Sequence, residues 1–144
     1  MKKVLFPIII GFLFACTHPN IGKQVPPGYW RYCTGINGSD HHTVVLQHLI
    51  VDFNHSINPL KNKISLDGFI RLREDQLATS GWVLAELFIE VYFLDSARKV
   101  IEVKSFTLTP MRVVSEPIPF KKNFPYDSRY SFIMFNYRVE SVTG

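Results

Sequence analysis

The sequence predicts an all-β chain, an antiparallel β-sandwich that follows a cleaved N-terminal signal helix. Two observations carry the sandwich. Between Thr43 and Val139 apolar residues recur with period two in run after run, most cleanly at Ile64, Leu66, Ile70 and Leu72, which alternate with Ser65, Asp67, Arg71 and Arg73. These runs are rich in β-branched and aromatic residues (the chain holds 12 Phe, 6 Tyr and 2 Trp), and short turn-forming clusters divide them. A third observation carries the signal segment: Lys2 and Lys3 precede an apolar stretch over residues 4–14. A chain of 144 residues fits one domain with a real core.

The apolar opening is well short of the ~20 residues of a transmembrane helix, and Pro7 and Gly11 speak against a strand. It ends in Leu13-Phe14-Ala15-Cys16, with Leu three residues before the cysteine and a small residue beside it. This resembles the lipobox of the bacterial lipoproteins, apart from Phe14, where that family usually has a small residue. The resemblance implies that the Cys16 thiol receives a diacylglycerol, that the chain is cut before Cys16, and that the new amino terminus is acylated. A thiolate suits thioether formation, and Ala15 leaves room for a peptidase. The alternative is an ordinary cleaved signal with Cys16 kept as a disulfide partner. In the family an Asp after the cysteine marks inner-membrane retention; Thr17 stands there and points to the outer membrane. Lipid on Cys16 would leave Cys33 a lone thiol in an oxidising compartment, either buried beside Tyr29, Trp30 and Tyr32 or paired with another chain.

The expected organisation is a signal peptide over residues 1–15, a tether over 16–28 and the sandwich over 29–144. "THPNIGKQVPPG" is rich in Pro, Gly and polar residues, which suits an extended tether lifting the domain off a bilayer. "YWRYC" is an aromatic cluster at the start of the folded part, and "TGINGSDHH" a turn-rich link. Residues 43–53 read as one strand with Val45, Leu49, Val51 and Phe53 on one face, "NHSINPLKN" as a loop, and residues 64–73 as a half-buried strand.

In "WVLAELFIEVYFLD", Val83, Ala85, Leu87, Ile89, Val91 and Phe93 make one apolar face, opposite Trp82, Leu84, Glu86, Phe88, Glu90 and Tyr92. The spacing of Glu86 and Glu90 also suits a helix; the β-rich composition and the turn "DSARK" favour a strand. "VIEVKSFTLT" pairs back as a hairpin, and its apolar phase slips from Ile101 and Val103 to Phe106 and Leu108, as a bulge near Lys104 and Ser105 would cause. The prolines of "SEPIPF" confine it to a sheet edge or a crossing between sheets. "RYSFIMFNYRVE" sets Ile133, Phe135, Tyr137 and Val139 against Met134, Asn136 and Arg138, which gives five or six strands in all.

The hairpin "EVYFLDSARKVIEV", with "PIPFKKNFPYDSRYSFIMFNYRV" after it, loosely resembles FxLYD-type and related immunoglobulin-like domains of small bacterial surface lipoproteins. The resemblance covers residues 82–139 and implies an immunoglobulin-like sandwich. A fold of this kind does not imply an activity.

The formal charge of +4 includes Lys2 and Lys3; without them fourteen basic residues face twelve acidic ones. That balance, with the bases scattered near turns, gives no footprint for nucleic acid. Five histidines are present, with Asp40 and Asp52 nearby. His48 and Asp52, four residues apart in a strand, lie roughly 13 Å apart, too far for one ion. A site could still form from His41 or His42 with a loop residue such as His55 or Asp40, but histidines on loops and edges are the default reading, and no metal and no cofactor are expected.

Catalysis has no marker either: there is no Gly-x-Ser-x-Gly elbow and no His-Glu-x-x-His pair. In a strand Glu86 and Glu90 are roughly 13 Å apart, wide for paired carboxylates, and suit solvent-facing charges opposite a base such as Lys104. Trp30, Trp82, Phe88 and Tyr92 are the candidate contact residues. Clustered aromatics close a sandwich or stack on sugar rings, and a greasy outer sheet face or long free edge meets a protein partner. The expected function is non-enzymatic: a lipid-anchored, periplasmic-side accessory or assembly subunit with an envelope protein as partner. A glycan-binding module is the alternative.

Overall fold

The computed structural model describes residues 18–73, 84–108 and 117–141. The expected signal peptide, the Cys16 lipid site, Trp82 and Val83 lie outside the described residues, as does the "EDQLATSG" link beyond Glu74's preceding residue Arg73.

Among the described residues eight strands follow one another: β1 (Thr34–Gly35), β2 (His41–Val45), β3 (Leu49–Asn58), β4 (Lys63–Leu72), β5 (Leu84–Leu94), β6 (Val100–Leu108), β7 (Ile118–Pro125) and β8 (Phe132–Ser141). They form two antiparallel sheets of four, in the orders β1-β8-β5-β6 and β2-β3-β4-β7. The fold class is thus an all-β sandwich. The chain crosses between sheets after β1, after β4, after β6 and after β7, and β4 pairs with β7 while β5 pairs with β8. This is the Greek-key crossing at the centre of immunoglobulin-type sandwiches.

Residues predicted to point inward fill the space between the sheets. Ile64, Leu66 and Ile70 of β4 face Leu87, Ile89, Val91 and Phe93 of β5, with Ile133 and Phe135 of β8, all buried. Phe53 meets Phe135 edge-on across the sheets at 5.1 Å, and Phe93 stacks on Tyr130 at 4.6 Å. Outward positions of the second sheet include polar pairs, Thr43 donating to Asp52 at 2.6 Å and Ser65 to Asn123 at 2.7 Å, beside the exposed Val45 and Phe69. The prolines of "PIP" and Pro125 sit on or beside β7, the edge of that sheet, where a missing N–H is tolerated.

Four expectations about elements need correction. Residues 43–53 are two strands, because residues 46–48 form a turn and β2 folds back on β3. That odd-numbered break inverts the phase: Val44 is buried opposite Val51, and Val45 is 51% exposed. The "NHSINPLKN" loop is largely strand, since β3 and β4 stay in register out to Asn58 opposite Lys63; a histidine at an inward position, His55, hid the alternation. The turn itself is residues 59–62, ending in Asn62 at φ 51°.

The β5–β6 bulge is at Phe93 and Leu94, which face Glu102 and Val100 and leave Ile101 as the extra residue. Beyond it Glu102, Lys104, Phe106 and Leu108 all register with the inward residues of β5, which an edge strand tolerates for its charged pair. Lys104 therefore lies opposite Val91 and is not the counter-charge of Glu90.

Candidate functional site

Outward side chains of the β1-β8-β5-β6 sheet are greasy, and the chain covers part of them itself. Tyr92, Leu94 and Val100 form a second apolar cluster with Val25, and Ile21, Cys33, Val103, Phe132 and Met134 border it. Residues 18–33 make the strap that closes it. Gly22 N–H donates to Val100 O at 2.8 Å, Val100 N–H to Lys23 O at 2.9 Å, and Val25 N–H to Arg98 O at 2.9 Å, so the strap starts as an added ladder on the β5–β6 hairpin. Pro26 then leads into a 3₁₀ turn (Pro27–Tyr32), and the chain reaches the far edge of the sheet as β1, beside β8.

Residues 18–28 are thus docked and do not form the free tether read from their composition. Pro and Gly suit a turn-rich strap as well as a linker, and only the apolar Ile21 and Val25 separated the two. At the start of the strap His18 Nε2–H donates to the Glu90 carboxylate at 2.6 Å, and Asn20 donates to the Tyr92 hydroxyl at 3.2 Å.

The candidate contact residues separate on this frame. Tyr92 is only 4% exposed and packs in the strap's apolar seat, and it also lines the cleft between the strap and β8. Trp30, 39% exposed, is fixed within the strap: its indole N–H donates to Val25 O at 2.9 Å, and the Arg98 guanidinium lies over its ring at 4.6 Å and over Phe132 at 4.5 Å. Phe88 is half-buried on the outer face with Arg138 over its ring. Cys33 is a free, half-buried thiol whose pKa burial pushes up, against a smaller opposing effect of Arg98.

Where the strap passes β8 it leaves a cleft of about 730 Å³. Its floor is residues 134–137 of β8. One wall is the strap with Tyr29 and Tyr32, and the other is the β2–β3 turn, residues 46–48. That turn is held to the floor by Tyr137: its hydroxyl accepts from His48 N–H at 3.1 Å and is hydrogen-bonded to His48 Nδ1 at 2.7 Å. Burial raises the Tyr137 pKa, against smaller opposing effects of the His48 backbone bond and Arg73. Asn20, Gln24, Gln47 and Asn136 add amides to the lining. Ring faces, amides and the Lys23 ammonium equip the cleft for recognition of a polar ligand or a peptide.

Sequence reasoning named Tyr29 and Tyr32 in an aromatic cluster, but weighed His48 only as a metal ligand and Asn136 and Tyr137 only as strand positions. Those three carry no local signal, because the cleft joins stretches roughly 90 residues apart along the chain.

The histidines do meet, as a hydrogen-bonded pair. His55, 5% exposed, donates from Nε2 to Ile36 O at 2.8 Å, so its Nδ1 must accept, and His42 Nε2–H donates into it at 2.8 Å. The two rings stack at 4.9 Å. Among the described residues no three His, Cys, Asp or Glu side chains converge as a metal site. Burial lowers the His42 pKa, helped by His55 and His41 and opposed by Asp40.

In unfolded chains His42 takes a proton near pH 6.5, before it does so in the fold. Its contribution to stability is therefore complete above that pH and is lost as pH falls toward the lower folded value. His42→Gln is expected to cost more stability at pH 7 than at pH 5 in urea titrations; a cost independent of pH would contradict the lowered His42 pKa.

Compared with protein-family models, with curated proteins and with solved structures, the chain matches none.

Proposed function

We propose that this chain is a non-enzymatic lipoprotein of a bacterial cell envelope. It is anchored through lipid on Cys16, at the outer rather than the inner membrane, and it acts as an accessory or assembly subunit that holds an envelope protein partner. The observation that carries the binding half is the cleft beside β8, walled by the strap and the β2–β3 turn. Leu13-Phe14-Ala15-Cys16 carries the anchoring half. A glycan ligand is the second reading, favoured by Tyr29, Tyr32 and Tyr137 among the amides of the same cleft.

The docked strap changes the posture expected of the anchored domain. His18 is tied to Glu90 of β5, and it follows Cys16 by two residues, which span about 7 Å at most. Lipid on Cys16 would hold the strap side of the sheet close to the bilayer instead of lifting it away. Two or three acyl chains anchor firmly where one does not.

Cys16→Ser is expected to abolish incorporation of labelled fatty acid and to move the protein from the membrane to the soluble fraction. Retention of the variant on membranes in high salt would overturn the anchor.

A further inference from the structure

We propose that residues 134–137 of β8 take an extended peptide segment of a partner protein as an added strand, with the cleft as its seat. This rests on the reading of the cleft as a binding site and names the chemistry of what fills it.

The pairing of β8 is lopsided. On one side β5 follows it from Phe132 to Ser141. On the other, among the described residues, β1 matches it only at Phe132 and Ile133. There Cys33 N–H turns back to Trp30 O at 3.0 Å, and the chain leaves the sheet. An immunoglobulin-type sheet carries a further full strand at this position, and the cleft lies in that place.

Backbone direction agrees. In antiparallel strands each residue aims its N–H and C=O at one neighbour, and the next residue aims at the other. Tyr137 N–H donates to Oδ1 of the adjacent Asn136 at 2.9 Å, so it faces away from β5 and is met by a side chain where a strand would stand. By alternation Phe135 presents its backbone to the same side, as Ile133 does to Thr34 of β1. The edge already accepts one antiparallel strand there, and an added segment would continue its line.

The walls select the occupant. Residues 134–137 span about 13 Å of edge and are recessed between the Tyr29–Tyr32 wall and the residues 46–48 wall. A second copy would have to bring its own β8 edge, recessed between the same two walls, and the walls would collide before the edges met. A single extended chain carries no such flanks. Its alternate side chains would meet the strap tyrosines on one side and Leu46 and His48 on the other, which fits a segment with an apolar residue at every second position and no basic residue beside Lys23.

The test uses the full chain in detergent and a display library of random linear peptides about ten residues long. The best binder is synthesised unmodified and in two forms N-methylated at alternate residues, one per register. The unmodified peptide is expected to slow exchange of the Phe135 and Tyr137 amide hydrogens at least about tenfold. One N-methyl register is expected to lose at least about tenfold in affinity and the other to bind nearly unchanged.

Equal tolerance of both registers, or binding with those amides unprotected, overturns strand addition. If the peptide or a chitooligosaccharide then still shifts the Tyr29, Tyr32 and Tyr137 resonances, the cleft stands as a binding site for side-chain or glycan recognition. If neither probe shifts them, both readings fall. Protection of the same amides that grows with protein concentration and no peptide assigns the edge to a second copy and overturns the partner segment.

Discussion

Gly68→Ala is expected to destabilise the fold by about 3 kcal/mol or more, at the upper end of overpacking costs. Gly68 lies in β4 directly opposite Phe53 of β3. A Cβ there would lie within 2.6 Å of the Phe53 Cα and closer still to the Asp52 carbonyl oxygen. Both obstacles are backbone, so no rotamer relieves them, and the central strand pair of the second sheet must separate. The measurement is a urea titration followed by circular dichroism. Gly38→Ala is the control: its added Cβ meets nothing within 4 Å, and it should shift the midpoint little. Equal midpoints for the two variants would show that β3 and β4 do not approach at Gly68 as described.

Phe93→Ala is the second large effect, a loss of about 3–5 kcal/mol. Phe93 is fully buried, stacks on Tyr130 and meets Phe124 edge-on at 5.6 Å. It therefore joins β5 of one sheet to β7 of the other and to the link before β8. Truncation leaves a cavity between rings that are held by both sheets and have little freedom to close it. Against a total stability of about 5–15 kcal/mol for a domain, this variant should unfold at much lower urea. A shift below about 1 kcal/mol would mean that the site collapses around the missing ring.

The two positions differ in how they could have been found. Phe93 was legible: it continues the alternation Leu87, Ile89, Val91, and the turn at Asp95 ends the run. In that turn Asp95 accepts from the N–H groups of Ala97 and Lys99, and Arg98 takes φ 60°. Gly68 reads in sequence only as a gap in the alternation between Leu66 and Ile70. Its role needs the register that places Phe53 and Asp52 against it.

Val45 and His55 mark where a period-two reading breaks. The first lies just before a turn that an apolar run concealed. The second is a polar residue made tolerable inside by two hydrogen bonds that only the folded chain supplies.

Local features are legible in the residues themselves: β class, the inward faces of β4, β5 and β8, and the β5–β6 turn. Side-chain alternation and turn chemistry operate within a few residues, so they are written where they act. The tertiary structure alone decided what covers the outer face of the β1-β8-β5-β6 sheet and where an edge stays open. Asn20 reaches Tyr92 and His48 reaches Tyr137 across separations of 72 and 89 residues. Such contacts exist only once two sheets have closed on each other, when the strap finds an apolar seat and the last strand is left with one full neighbour.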